Sequence, residues 1–174
     1  MYDSKIKPVT TPLDETLNQP EFFSSIIGEL AGLLESMIGL RDAEGFISTV
    51  GGNLGHRISG LYPVGPDSAA PDRLAEVLVD LKTRIKGEFE VVSADADQIV
   101  LSAGRCPFGD KVKDRPSLCM MTTNVFGRVV ADRTGYAHVT IDKAIAQGDA
   151  GCRVVVTLKL SDAAPTTGVE FFAE

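Results

Sequence analysis

The chain has 174 residues, of which 44% are hydrophobic and 24% charged, and its formal net charge is -7. These values indicate one globular domain with a single core. The 17 lysines and arginines are scattered, whereas binding to nucleic-acid phosphates needs clustered positive charge. No run reaches the roughly 18 apolar residues that a membrane-spanning helix needs. We therefore expect no direct nucleic-acid partner and no membrane association.

The first 19 residues are polar and contain no apolar run, so they do not resemble a signal peptide. We expect a flexible N-terminal tail over 1–19, followed by a single sensor-like domain over 20–174, located in the cytoplasm. Pro20 begins a predicted helix, because apolar residues recur at three- and four-residue intervals as far as residue 40. Its long apolar stripe, which includes Leu30 and Leu34, favours burial against a second copy of the chain. A homodimer is therefore predicted.

Two further helices are predicted before the first strand. Asp42 is interpreted as the N-cap of the second helix, whose apolar residues extend to Leu61 but are interrupted by five glycines. Those glycines indicate either tight packing against another helix or the close approach of a ligand. The third helix begins at Pro71, and its apolar stripe extends to Ile85.

Apolar and polar residues alternate after Gly87, which is the pattern of strands. Two strands joined at 94–97 are predicted first. Pro116 then begins a fourth helix that extends to Arg133, because proline fits the first helical position. The segments "YAHVTI" and "CRVVVTLKL" predict two more strands. This order predicts an α+β domain in which N-terminal helices pack with an antiparallel sheet. The strand residues expected to point inward are Phe89, Val91, Ile99 and Leu101.

The three cysteines all fall at the ends of predicted elements. Cys106 follows a strand, Cys119 lies in the first turn of the fourth helix, and Cys152 begins the last strand. Three thiolates and one further ligand can hold zinc or an iron–sulfur cluster, but the spacing matches no standard motif. The thiols are therefore interpreted either as buried core residues or as one metal site. His138 is the first candidate for the fourth ligand. Its rivals are Asp110, Asp114 and Asp149.

The helix that carries Cys119 also presents a candidate pocket wall. Thr123 and Phe126 follow Cys119 at helical spacing, so they lie on the same face. A mostly apolar face with one hydroxyl and one thiol is typical of a small-molecule pocket, but also of an ordinary core. Thr123 and Phe126 are therefore pocket candidates with a core alternative.

From Asp42 to Leu160 the chain resembles the methanogen output domain family. The resemblance rests on "DAEGFI", "LAEVLVDLKTRI", "RCPFGD", "PSLCMMTTNVFGRV", "GYAHVTI" and "GDAGCRVVV". It implies a relation to the 4-vinyl reductase sensor domains and, more distantly, to haem nitric-oxide sensors and vesicle-tethering subunits. Those relatives imply an α/β sensor fold that is often dimeric.

The resemblance also implies a metal site. In the 4-vinyl reductase sensors, cysteines and a carboxylate hold a zinc ion beside a small-molecule pocket. Cys106, Cys119 and Cys152 are the residues that carry over, and no motif matches the carboxylate, so the fourth ligand stays open. The family's usual context is as one module of signalling proteins. We therefore expect either that the output passes through a partner protein or that the chain is a fragment of a longer one.

We therefore expect a cytoplasmic regulatory sensor domain that binds a metal through its three cysteines, with a small-molecule ligand beside it. Zinc is the first expectation and an iron–sulfur cluster the second. Haem is not expected, because the glycines around His56 supply no bulky apolar pocket. The alternatives are a small cysteine- or metal-dependent hydrolase or reductase, and a purely structural dimerisation module. Neither alternative is our first reading, so no catalytic residue is assigned.

Overall fold

A computed structural model describes residues 18–160 and 167–173, so the tail predicted over 1–19 falls almost wholly outside the described residues. The described chain contains four α-helices, five strands and three short 3-10 turns. The helices are α1 (Gln19–Ile38), α2 (Leu40–Ser59), α3 (Pro71–Arg84) and α4 (Cys119–Thr134). The strands are β1 (Glu88–Ala94), β2 (Gln98–Arg105), β3 (Tyr136–Lys143), β4 (Cys152–Thr157) and β5 (Val169–Phe172).

The five strands form one antiparallel sheet in the order β1-β2-β4-β3-β5. Directly paired residues share a face of the sheet, and neighbouring residues alternate between faces. The pairs Leu101 with Val154 and Val154 with Ile141 therefore define one inner face. This face carries the main core against α3 and α4, and the α+β prediction is confirmed. Its fully buried strand residues are Ile99, Leu101, Val139, Val154 and Val156.

Helix α4 lies between the sheet and α2, and glycines set the α2–α4 distance. A Cβ atom at Gly51 would stand 2.9 Å from the Asn124 Cβ, and one at Gly55 would stand 2.8 Å from the Arg128 Cβ. Real Cβ atoms do not approach that closely, so these two glycines let the helix backbones meet. The packing interpretation of the α2 glycines therefore holds at these two positions.

Helix α1 packs on the edge of the helical layer and not on the sheet. Asn18 caps it by accepting a hydrogen bond from the Glu21 N–H at 3.0 Å. Its buried side carries the small residues Gly28 and Ala31. The Glu35 carboxylate accepts a hydrogen bond from the Ser117 N–H at 3.0 Å, which fastens α1 to the turn before α4. The large apolar residues of α1 face outward.

Several sequence-based boundaries and orientations need correction. Helix α2 begins at Leu40 with Gly39 as its N-cap, so Asp42 lies in its first turn and is not the cap. Val91 pairs with Leu101 and so lies on the inner face as predicted, but it is 45% exposed because β1 is an edge strand. Ile85 is 50% exposed because α3 ends before it. The fourth helix starts with a 3-10 turn at Pro116–Leu118 before becoming α-helical.

Within the described residues, no helix is both long and apolar enough to cross a bilayer.

Candidate functional site

The three cysteines line one internal cavity. Cys106 follows the end of β2, Cys119 is the first residue of α4, and Cys152 is the first residue of β4. Their side chains surround a space of about 20 Å³, which is room for one water molecule. The Thr122 hydroxyl also borders this space. The rest of the lining is mostly apolar and includes Phe89, Val112, Leu118, Ile141 and Val154.

Backbone donors point at two of the three sulfur atoms. The Ile145 N–H donates to the Cys152 Sγ over 3.5 Å, and the Phe108 backbone N–H donates to the Cys106 thiol. Among the described residues no N–H donates to the Cys119 sulfur, but Cys119 is the first residue of α4, where helix backbone N–H groups favour negative charge. The surroundings of each sulfur therefore contain a feature that favours a thiolate.

A buried lysine stands next to this cavity. Lys82 is only 3% exposed, and its Nζ donates to the Thr122 Oγ1 at 2.7 Å. The same nitrogen lies 5.0 Å from the ring centre of Phe89 and 4.9 Å from that of Phe126. Both aromatic faces attract a cation. Among the described residues, Lys82 forms no ion pair with a carboxylate. We call Lys82, Thr122 and the three cysteines the thiol–lysine cluster.

Burial and mutual charge set the protonation of this cluster. Burial lowers the pKa of Lys82 to about 8, although the three neighbouring cysteines act in the opposite direction. Burial, reinforced by Cys152 and Cys106, raises the pKa of the Cys119 thiol to about 12. Burial also raises the pKa of Cys106, while the Phe108 N–H and Lys82 oppose that rise. Without a bound cation, Cys106 and Cys119 are therefore protonated thiols near neutral pH.

The structure does not bring the proposed fourth ligand to the thiols. His138 pairs with Thr157 of β4, so these two residues share one face of the sheet. Cys152 lies five residues before Thr157 in the same strand, and side chains alternate between the faces of a strand. His138 and Cys152 therefore lie on opposite faces of the sheet. The His138 Nδ1 is buried without a hydrogen-bond partner in the described part of the chain. The three rival aspartates, Asp110, Asp114 and Asp149, are exposed.

The thiols share a cavity but are not yet spaced as metal ligands. Within residues 18–160 and 167–173, no three His, Cys, Asp or Glu side chains stand close enough together to hold a metal ion. Metal binding through Cys106, Cys119 and Cys152, with His138 as fourth ligand, therefore stays a prediction.

An open groove of about 540 Å³ lies on the other side of Cys119. Thr123 lines it, and Cys119 and Ile141 border both the groove and the internal cavity. Glu44 lines the groove as well, and burial, followed by the charge of Glu35, raises its pKa. Phe126 is fully buried in the main core, where its ring packs edge-to-face on Phe89 at 5.8 Å. The structure thus places Thr123 at a cavity wall and Phe126 in the core.

Lys82 was not among the residues singled out in the sequence. Lys82 carries a signal there, because it follows Leu74 and Leu78 at four-residue intervals and so lies on the apolar stripe of α3. A lysine on such a stripe is rarely buried unless something compensates its charge. Thr122 does have a sequence signal, because it follows Cys119 by three residues and helical spacing therefore places both on one face of α4.

The fold of the chain is similar to that of two solved structures of low sequence identity. Its architecture matches the solved phenol-responsive sensory domain of the transcription activator PoxR, crystallised with phenol, at a TM-score of 0.62 and 13% identity. That match covers 78% of this chain and 74% of the sensory domain. A trafficking protein particle complex subunit 3 from Naegleria fowleri, covalently bound to palmitic acid, matches at a TM-score of 0.57 and 14% identity. It covers 80% of this chain and 97% of that subunit. The molecule thus has a sensory-domain fold.

Residues 26–157 match the family model of methanogen output domain 1, and the chain belongs to that family. The resemblance expected from the sequence motifs is confirmed. No curated protein matches the chain in sequence. Membership of this output-domain family indicates a regulatory role and not catalysis.

Proposed function

We propose that the chain is a regulatory sensor domain that receives its signal at the thiol–lysine cluster. In this proposal Cys106, Cys119 and Cys152 take up one soft divalent metal ion, with zinc as the first choice. The observation that carries the proposal is the convergence of three sulfur atoms from β2, α4 and β4 on one cavity. Thiolate sulfur is the preferred protein ligand of zinc.

The surroundings of the sulfurs support a thiolate site. N–H donors reach Cys106 and Cys152, and the α4 N-terminus favours a negative charge on Cys119. A divalent ion would displace the thiol protons, as metal binding to cysteine does in general. Bound zinc would supply a closed, redox-inactive cross-link between secondary-structure elements.

The size of the cavity favours a single ion over a cluster. A space of about 20 Å³ accepts one atom-sized guest. An iron–sulfur cluster has several iron and sulfide ions, so it would displace closely packed side chains such as Val112 and Leu118, which are 2% and 1% exposed. It remains the second choice.

Uptake of the ion supplies the signal in this proposal. The three thiols must rotate or move together to reach ligand distances, because they do not stand at such distances in the structure. That movement would draw the C-terminal end of β2 and the start of β4 toward α4. Helix α4 packs directly on α2 through Gly51 and Gly55, so the shift would be transmitted to the outer helices and to a signalling partner protein.

A small-molecule ligand beside the metal site forms the second part of the proposal. The groove behind Cys119 has about 540 Å³, which is within the usual range of small-molecule pockets. PoxR, whose sensory domain shares this fold, is responsive to phenol. Among the described residues, the groove lining contains the carboxyl group of Glu44 and no basic side chain, so we propose a neutral or cationic organic ligand.

Metal content of the purified protein tests the proposal. We expect one zinc per chain by elemental analysis and a colourless protein. Each of the substitutions Cys106→Ser, Cys119→Ser and Cys152→Ser should remove the zinc. The pairwise double variants should lose no more stability than the single ones, because all three residues act through one ion. Met120→Leu is the matched control, since it removes another sulfur atom near Cys119 and should leave zinc in place.

Other outcomes decide between the alternatives. A brown protein with iron and sulfide would favour the cluster. Full zinc content in any one serine variant would remove that cysteine from the site. Wild-type protein that binds neither metal would leave three buried thiols in a structural module, and the proposed function would be wrong.

A further inference from the structure

Lys82 is a buried cation without an opposite charge beside it. Its ammonium group meets only the Thr122 hydroxyl and two aromatic faces among the described residues. A charge taken out of water destabilises the folded state unless an opposite charge compensates it. In the metal-free protein Lys82 therefore weakens the fold, and a role in the loaded state would explain a charge at this place.

The formal charges of the proposed metal site account for the lysine. Three thiolates carry a charge of -3, and a divalent ion brings the sum to -1. The exposed Asp110, Asp114 and Asp149 cannot correct this sum, because they are negative themselves. One ammonium group beside the cavity brings the sum to zero. The thiol–lysine cluster is thus electrically neutral with one divalent ion and positively charged without it.

We propose that Lys82 is the charge-compensating residue of the metal site, so that the cluster binds a divalent ion as a neutral unit in the protein interior. This inference rests on the proposed function. Lys82 is not a metal ligand in it, because its Nζ is held by Thr122 and lies over the rings of Phe89 and Phe126. It acts by electrostatic attraction between its ammonium group and the thiolates.

This role predicts two opposite effects of removing the charge. Lys82→Met has nearly the same length, and it replaces an uncompensated cation by an apolar side chain that suits Phe89 and Phe126. The metal-free variant should therefore melt at a higher temperature than the metal-free wild type. The loaded variant retains a net charge of -1 in the core, so its zinc affinity should fall. If Lys82 had only a structural role, its replacement would not raise the melting temperature of the metal-free protein while lowering its zinc affinity.

The experiment measures zinc affinity by competition with a chelator, and thermal melting with and without zinc, for the full chain. We expect Lys82→Met to weaken zinc binding between ten- and roughly a hundredfold, as the loss of a screened attraction between a buried ammonium group and neighbouring thiolates allows. Lys82→Gln is the second variant, because it removes the charge but can still donate to Thr122. It should lose zinc affinity to a similar extent. Lys113→Met, at a 62% exposed side chain, removes the same charge from the surface and should bind zinc like the wild type.

The outcomes distinguish this inference from the function on which it rests. Wild-type protein that binds no zinc would overturn the proposed function. If the wild type binds zinc and Lys82→Met binds it equally well, the proposed function stands and the role of Lys82 is wrong. If only Lys82→Gln keeps the wild-type affinity, the hydrogen bond to Thr122 matters and the charge does not. If Lys82→Met does not fold, the zinc affinity of Lys82→Gln decides between the two.

Discussion

The outward face of α1 makes the homodimer a sharply testable prediction. Its large apolar residues are 38% to 73% exposed, which is unusual for side chains of this kind on a monomer. Helix α2 carries further exposed apolar residues, and a standard interface takes about 800 Å² from each partner. We expect a second copy of the chain to cover this face. The residues are Phe22, Phe23, Ile26, Ile27, Leu30, Leu33 and Met37 on α1, and Phe46 and Val50 on α2.

The double substitution of Leu30 and Leu33 by glutamate is the perturbation of choice. Both leucines are 55% exposed, whereas Leu34 is already partly buried within its own chain and would test folding as well as association. Burying the remaining half of a leucine contributes about 1 kcal/mol. Two leucines on each of two copies therefore contribute about 4 kcal/mol, which corresponds to roughly a thousandfold in Kd. The carboxylates add a further desolvation cost.

Sedimentation equilibrium measures this association directly. The wild type should be dimeric, and the Leu30→Glu/Leu33→Glu protein should be a monomer with unchanged far-UV circular dichroism. Val64→Glu is the control, because Val64 is 78% exposed but lies in the loop after α2, so this protein should remain dimeric. A wild-type protein that sediments as a monomer at the highest measurable concentration would refute the argument. So would a double variant that stays dimeric.

Two further predictions concern packing around α4. A Cβ at Gly127 would overlap the Phe171 ring, so Gly127→Ala should displace β5. The free energy of unfolding, measured in urea, should fall by about 1–3 kcal/mol. An unchanged free energy of unfolding would contradict the contact. Phe126→Ala should cost about 3–5 kcal/mol, because the ring is fully buried between Phe89 and Lys82. A stable Phe126→Ala protein that has lost only its response to ligands in a thermal-shift screen would instead restore Phe126 as a pocket residue.

The sequence predicts the local elements well because their signals are local. Proline at the start of α3 and the change from helical to alternating spacing after Gly87 give the helices and the first hairpin within a few residues. Strand β5 has no such signal. It is only four residues long and depends on Tyr136–Val139 of β3 as its partner, so its pairing is set by tertiary structure.

The candidate site could be predicted in part for the same reason. The three cysteines lie at the C-terminal end of β2, the start of α4 and the start of β4, as the sequence predicts. These three places meet at one cavity. The position of His138 could not be anticipated, because the face it occupies depends on the register between β3 and β4. The approach of Lys82 to the thiols depends on how α3 packs across the sheet, which no local pattern encodes.

The strand order β1-β2-β4-β3-β5 has a consequence for how the molecule folds. Strand β4 inserts between β2 and β3, so Cys106 and Cys152 meet only after the 45 residues between them have closed into a loop. Contacts between residues so distant in sequence form slowly, because the entropy of loop closure opposes them until the strands pair. The three thiols therefore come together only once β4 has paired with β2. Until then, we expect the cysteines of a newly made chain to react more readily with oxidants and stray metal ions than those of the folded protein.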